Sequence, residues 1–470
     1  MATPLPKHPN LQGAYQPIQF ECDAPDLVVQ GALPADLNGT FYRNGPNPQY
    51  APRGDYHWFA GDGMIHAFHL ENGRVSYKNR WVKTTKWELE RAAGRGLFSG
   101  MNPLDTDPAV QGLTTNGLAN TNIVWHAGKL LALEEAHAPF QLDPMSLDSI
   151  GPWTFGDTLT GPMTAHPKMD PETGEMIFFG YSVDGMLSNK MSYHVVNREG
   201  KLTTSAFFDA PYAAMVHDFI VTRDFVIFPI MPLTASLDRA LQGKPPFAWE
   251  PEKRNKIGVM PRSGSVEAIR WFDGDPSYVF HPMNAFNVGN KITCDVSQYG
   301  VAPLFPNADG SRSDPALALA KLTRWHIDLD LPTDTYKVEQ LDDVACEFGR
   351  LDERYSGLEY RYGYMLCTGA SAAKPSSLNA ITRVDHQTGQ RQTLDLGEHM
   401  TPSEAVFVPS AHDAPEGAGY LLANVYDASI DKSHLLILDA ENITAGPLAT
   451  AQLDHRVPLG FHGNWRPASQ

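Results

Sequence analysis

Four of the seventeen histidines share one local setting. They are His166 in "TAHPKMD", His217 in "MVHDFI", His281 in "VFHPMNAF" and His462 in "LGFHGNW". Each follows an apolar or small residue and opens into Pro, Asp or Gly, as a histidine does at a strand end that faces a central channel. Imidazole nitrogen suits iron, zinc, copper and nickel. The gaps between them are 51, 64 and 181 residues, and 181 is close to three gaps of 60. That spacing fits one histidine per repeated unit, converging on one metal. Four unrelated packed histidines fit it too, and no HExxH-type motif decides between the two. The remaining histidines are plainer. His8, His386, His399 and His412 sit in polar loop contexts, and His326 and His434 in alternating stretches that read as strands.

A second cluster, "LALEEAHAPF" at 131–140, looks at first sight like a metal site of its own, with Glu134, Glu135 and His137 inside four residues. His137 reads as a loop residue.

The elements that would position these groups are short. The 39 glycines and 37 prolines are scattered through the chain and break it into brief runs of strand formers such as "EMIFFGYSV", "DFVIFPIM" and "HLLILDA". Helical periodicity is confined to two candidates, "KWELERAAGRGLF" and "SDPALALAKL". A turn recurs in which Asp or Asn closes an apolar run before a short polar loop: 142–151, 169–176, 196–203, 384–392 and 438–447. Each predicts a hairpin. Positions 143, 170 and 197 are 27 apart, and 385 to 439 is twice that. Two hairpins make a four-stranded sheet, and repetition of such sheets over 470 residues predicts an all-β propeller of about seven blades. Chance recurrence of common turn residues is the alternative. No change of composition marks a linker, so 1–470 reads as a single domain.

The totals exclude some classes. A net charge of −17 without a basic run argues against a nucleic-acid partner. The most apolar stretch, 224–233, is far too short to span a bilayer. The N-terminus has no apolar signal segment, and four scattered cysteines without CxxC suit a reducing compartment, so the expected location is cytoplasmic. Peripheral membrane contact and oligomeric state stay open.

The ordered motifs "GTFYRNGPNP", "HWFAGDGMIHAF", "ANTNIVWHAGKLLALEE", "TAHPKMDPETGEM", "MVHDFIVT", "WEPEKRNKIGVMPR", "FHPMNAF", "PSEAVFVPS" and "FHGNW" run nearly the length of the chain. On them the sequence resembles the carotenoid cleavage oxygenases, and especially their short bacterial branch of lignostilbene and isoeugenol oxygenases. The resemblance implies a seven-bladed β-propeller with loops and short helices capping the iron-bearing face. It implies one nonheme Fe(II) held by His166, His217, His281 and His462. Three glutamates that orient these ligands fall at Glu135 (for His217), Glu347 (for His281) and Glu404 (for His462), and His166 is left without a carboxylate. Gly349 stands where the family usually has proline, which should loosen the backbone and makes Glu353 a fallback for Glu347. Thr121 matches a threonine beside an open metal position.

The implied reaction uses O2 as co-substrate and no organic cofactor. It cleaves a conjugated C=C bond of a hydrophobic alkene into two carbonyl products. Lignostilbene-type members hold a 4-hydroxyphenyl ring with an aromatic, a tyrosine and a lysine; this chain has Phe59, Met101 and Glu134 there. A carboxylate repels a phenolate. An apocarotenoid-like polyene is therefore ranked first, and an aryl-alkene (a stilbenoid, isoeugenol or 4-vinylguaiacol) second. An isomerase on the same scaffold and a non-catalytic propeller are the competing classes.

Overall fold

The computed structural model describes residues 4–99 and 105–468. Most of its regular elements are antiparallel strands, and the chain divides into two compact units, Met1–Ala165 with Leu396–Gln470, and His166–Asp395.

The first unit holds three sheets. One is five-stranded, in the order Cys22–Ala24, Arg74–Trp81, Gly63–Glu71, Gly39–Pro46 and Gly463–Pro467. A second is the meander Asn122–His126, Lys129–Leu133, Phe140–Leu142, Ser149–Pro152. The third runs Val28–Gly31, Pro447–Gln452, Lys432–Asp439, Gly419–Asp427, with Met400–Pro402 and Val406–Pro409 both paired to the last of these. Alternation explains the half-buried strands: Arg74–Trp81 turns Val75, Tyr77, Asn79 and Trp81 inward and its other side chains outward.

The second unit holds two four-stranded meanders, Lys168–Met169 to Leu202–Asp209 and Ile220–Val221 to Arg270–Gly274, with a small two-stranded excursion in the latter. It also holds a seven-stranded sheet from Tyr278–Val288 to Arg391–Asp395. The fifteen-residue strand Lys337–Leu351 explains that size. Its first part pairs with Lys321–Asp328 and its last part with Tyr362–Cys367, so it serves two four-stranded meanders in turn. Strands that read as continuous apolar runs, such as Phe225–Ile230, are buried along their whole length, in a cluster with Phe179, Tyr193 and Phe219.

All five predicted hairpins form, and their turns close as the sequence implies. Asp143, Asp170, Asp385 and Asp439 each accept backbone N–H groups two or three residues on, and Asn197 accepts that of Lys201. One helix candidate forms: Thr85–Ala93, with the Thr84 hydroxyl accepting from Trp87 N–H and Gly94 left-handed at φ 66°. The other does not. Residues 313–320 make only turns after Pro315, and Lys321 and Leu322 begin a strand. The alternation of Ala and Leu there serves a turn and strand entry, and one turn is too short to nucleate a helix. Among the described residues no helix is long and apolar enough to cross a membrane.

Candidate metal centre

The four histidines occupy equivalent places in their own sheets. His166 stands two residues ahead of the edge strand Lys168–Met169, His217 three ahead of Ile220–Val221, and His462 one ahead of Gly463–Pro467. His281 lies near the start of the edge strand Tyr278–Val288, where register shifts on both sides of Pro282 interrupt the ladder. Proline cannot donate to a ladder, so the break falls where the histidine must turn off the pleat. Thr121 holds the matching place before Asn122–His126.

Within the second unit the Nε2 atom of His217 lies 3.0 Å from that of His166 and 3.2 Å from that of His281. His281 Nδ1 faces Glu347 Oε2 at 2.5 Å, which fixes its proton on Nδ1 and turns the lone pair of Nε2 toward the other two rings. Neutral imidazole carries one proton, so a nitrogen shared between two neighbours cannot satisfy both by hydrogen bonding. A cation can. Two nitrogens bound cis on an octahedral metal at about 2.1 Å stand about 3.0 Å apart, close to both distances found. The residues present therefore fit a metal. His166 and His217 are buried, and the side chain of His281 is 11% exposed. His462, in the first unit, is buried as well.

The glutamates divide. Glu347 is buried and doubly held: Oε1 accepts from the Tyr299 hydroxyl at 3.0 Å, and Oε2 accepts from Phe348 N–H at 2.5 Å. Phe348 takes a left-handed φ of 57°, and its ring stacks on His281 at 5.1 Å. Burial and the Glu347 charge together push the Tyr299 hydroxyl well above its usual range, so it stays a donor. Glu353 pairs with Arg350 instead. Gly349 is a close-approach position: a Cβ there would lie 2.9 Å from Met283 Cβ, so it is packed, contrary to the loosening expected of it. In the first unit, Glu404 Oε1 meets His462 Nδ1 at 3.1 Å, and Oε2 accepts from Gly463 N–H at 2.9 Å with Arg43 at 3.5 Å. Glu135 is half-buried, two residues past the strand Lys129–Leu133. Thr121 N–H donates to Leu133 C=O at 2.9 Å, and Thr121 C=O accepts from His462 N–H at 3.1 Å. The base of the Glu134–Glu135 turn is thereby tied to the segment that carries His462.

The candidate substrate residues fare differently. Phe59 lies in the short turn Trp58–Ala60, its carbonyl accepting from Asn120 at 2.8 Å and its ring edge-on to Phe461 at 5.4 Å. Met101 lies outside the described residues. Glu134 is not a lone acid: its Oε1 is hydrogen-bonded to Nδ1 of His137. Burial pulls His137 down, but the Glu134 hydrogen bond and charge more than offset it and hold the imidazole above its usual range. His137 lies in a bend, outside any strand.

Sequence reasoning missed several buried supports: Arg43 beside Glu404, Tyr299 on Glu347, and Asp218, whose Oδ2 lies 3.7 Å from His166 Nδ1. An acid following a histidine in the apolar run "MVHDFIVT" was the available signal for the last, since a buried carboxylate must find a partner. His386, read as a polar-loop residue, instead packs against the Tyr360 hydroxyl and the Asp295–Arg324 pair.

The family model of the retinal pigment epithelial membrane protein matches residues 15–467. The chain is 40% identical to an isoeugenol monooxygenase of Pseudomonas putida, over 99% of both chains. It is 37% identical to lignostilbene-α,β-dioxygenase isozyme III of Sphingomonas paucimobilis, over 99% of this chain and 98% of that one. The solved lignostilbene dioxygenase of Pseudomonas brassicacearum superposes with a TM-score of 0.96 at 35% identity, covering 99% of this chain and 100% of the other.

Proposed function

Since the chain belongs to the carotenoid cleavage oxygenase family, we propose that it is an iron(II)-dependent dioxygenase that cleaves the conjugated C=C bond of an aryl-alkene into two carbonyl products. The observation that carries the reading is the convergence of the imidazole nitrogens of His166, His217 and His281, to which we assign His462 as the fourth ligand. Iron(II) held there would supply the activation of O2 that the uncatalysed alkene lacks.

The chain's own residues hold the rings and shape the space. Glu347 and Glu404 each keep a histidine proton on Nδ1, which leaves Nε2 free to bind metal and adds negative charge near a dication. We assign Glu135 the same task for His217. Thr121 is assigned to the wall of an open metal position, on the strength of its backbone bonds to Leu133 and His462. Phe59 is assigned to the substrate ring and Met101 to an apolar contact beside it.

Glu134 reorders the substrate readings. Paired with a His137 that favours its charged form, it makes a site close to net neutral, so it no longer repels a phenolate as a bare carboxylate would. The similarity to proteins named for isoeugenol and lignostilbene points the same way. A phenylpropenoid or stilbenoid is therefore placed ahead of an apocarotenoid-like polyene, the ranking opposite to that expected from the sequence. The polyene remains the second reading, favoured by an apolar Met101 where lignostilbene-type members have a hydroxyl.

Among the described residues, five four-stranded meanders, counting the long sheet as two, together with one five-stranded and one six-stranded sheet, support the reading of a seven-bladed propeller that spans 1–470 as one domain. Four free cysteines suit a cytoplasmic location.

The test is turnover by iron-loaded protein under 18-O2 of isoeugenol, 4-vinylguaiacol, a 4-hydroxystilbene and an apocarotenal, with carbonyls trapped by reduction before they exchange with water. Label in both products of an aryl-alkene is expected. Label in one product only would make it a monooxygenase, cleavage of the apocarotenal alone would favour the second reading, and iron-bound protein with no turnover would overturn both.

A further inference from the structure

The three carboxylates expected from the resemblance leave His166 as the one candidate ligand with no acid assigned. The structure puts one beside it. Asp218 is 5% exposed, and its Oδ2 lies 3.7 Å from His166 Nδ1. Its place is set from two sides. Phe219 N–H donates to Oδ1 at 2.7 Å, and Lys168 Nζ sits 2.8 Å from Oδ1 and 3.0 Å from Oδ2. Lys168 is itself laid over the Phe219 ring, 5.8 Å from its centre.

The arrangement is reciprocal along the chain. Lys168 is two residues past His166, and Asp218 is one past His217. The ion pair between them therefore ties together the two segments whose histidine Nε2 atoms stand 3.0 Å apart. It also orients charge: Oδ2 of the carboxylate faces Nδ1 of His166, while the ammonium holds both carboxylate oxygens in place. A negative group on the Nδ1 side favours the tautomer with the proton on Nδ1 and the lone pair on Nε2. Binding a cation at Nε2 polarises that N–H further and strengthens its attraction to the acid. A separation of 3.7 Å is too long for a direct hydrogen bond, so the coupling is electrostatic or runs through one water.

We propose that Asp218, anchored by Lys168, is the positioning residue for His166, so that every ligand histidine has a carboxylate and the His166 and His217 segments are clamped by one ion pair. This rests on the metal reading given above. It assigns Asp218 no contact with substrate or metal.

The experiment is a cobalt(II) titration of full-length protein against a competing chelator, with the ligand-field absorption recorded. Asp218→Asn is expected to weaken cobalt affinity by about 10- to 100-fold, the usual effect of removing such a partner. The bands should shift, while the metal-free protein melts where wild type does. In a His166→Ala background the same change should lose most of its effect, to within about twofold, because the residue it acts through is gone. Unchanged affinity in Asp218→Asn, or an equal loss in both backgrounds, overturns the proposal. Should Asp218→Asn not fold, Lys168→Met leaves the carboxylate in place without its anchor; shifted bands are then expected, and bands identical to wild type overturn it. Wild-type protein that takes up no metal overturns the metal reading and this one with it, whereas equal binding by wild type and Asp218→Asn overturns this one alone.

Discussion

Two histidine–glutamate pairings in this molecule look alike as chemistry and differ in how they are built. Glu134 and His137 are three residues apart, lie in a bend, and satisfy each other locally, with the histidine side chain 36% exposed. Glu347 and His281 are 66 residues apart, come from different strands, and meet in the interior under a tyrosine hydroxyl and a stacked phenylalanine. The first pair is compact in sequence, and its histidine has its Nδ1 taken up by its own neighbour. The second pair is dispersed in sequence, and its glutamate also takes Nδ1. The difference lies at the other nitrogen: Nε2 of His137 faces the Thr115 hydroxyl at 3.5 Å, whereas Nε2 of His281 faces another imidazole nitrogen at 3.2 Å, held there by a distant acid that other groups fix.

The largest break in this contrast should come from His281→Ala, which should take bound iron to background by elemental analysis, while His137→Ala keeps a full equivalent. Next, Glu347→Gln should weaken metal affinity by about 10- to 100-fold without unfolding the protein. Retention of wild-type affinity would mean that the long-range pair is only structural. Glu404→Gln should cost less, about tenfold, because its contact with His462 is longer and Arg43 and Gly463 compete for the same carboxylate. Gly349→Ala sharpens the comparison in another way. Its Cβ would press on Met283, so thermal melting should report about 1–3 kcal/mol of lost stability if the backbone beside Glu347 cannot move.

The smallest effect belongs to the local pair, and it depends on pH. His137 favours its protonated form when folded, so its contribution is complete below the ordinary histidine value of about 6.5 and is lost as pH rises through the higher folded value. His137→Gln should therefore lower the melting temperature at pH 6 and match wild type at pH 9, with bound iron unchanged at both. A deficit that grows with pH would reverse the assignment.

Much of the fold was legible because its punctuation is local. Asp143, Asp170, Asn197, Asp385 and Asp439 each bind backbone within a few residues of themselves, so the turn chemistry is written where it acts. The strand-entry setting that the four histidines share left them undecided on sequence alone, and only the ordered motifs of the family resemblance singled them out. Their supports were only partly legible. Lys168 and Asp218 are 50 residues apart and Tyr299 and Glu347 are 48 apart, at separations that no local spacing rule links. Gly349 was misread because the side chain it makes room for, Met283, lies on another strand. The stretch 313–322 was misread because alternating Ala and Leu fit a helix face until Pro315 and the strand from Lys321 are seen.

The strand Gly463–Pro467 pairs antiparallel with Gly39–Pro46, more than four hundred residues away in the chain, and His462 is the residue just before it. Loop closure over that length can occur only once residues 463–467 have been made. One member of the candidate ligand set is thus placed by a pairing between segments more than four hundred residues apart. A nascent chain can complete the hairpins of Lys168–Asp209 or Ile220–Gly274 before the strand that follows His462 has been made. A chain cut before residue 462 would keep the strands of most of its sheets and lack one of the four candidate ligands.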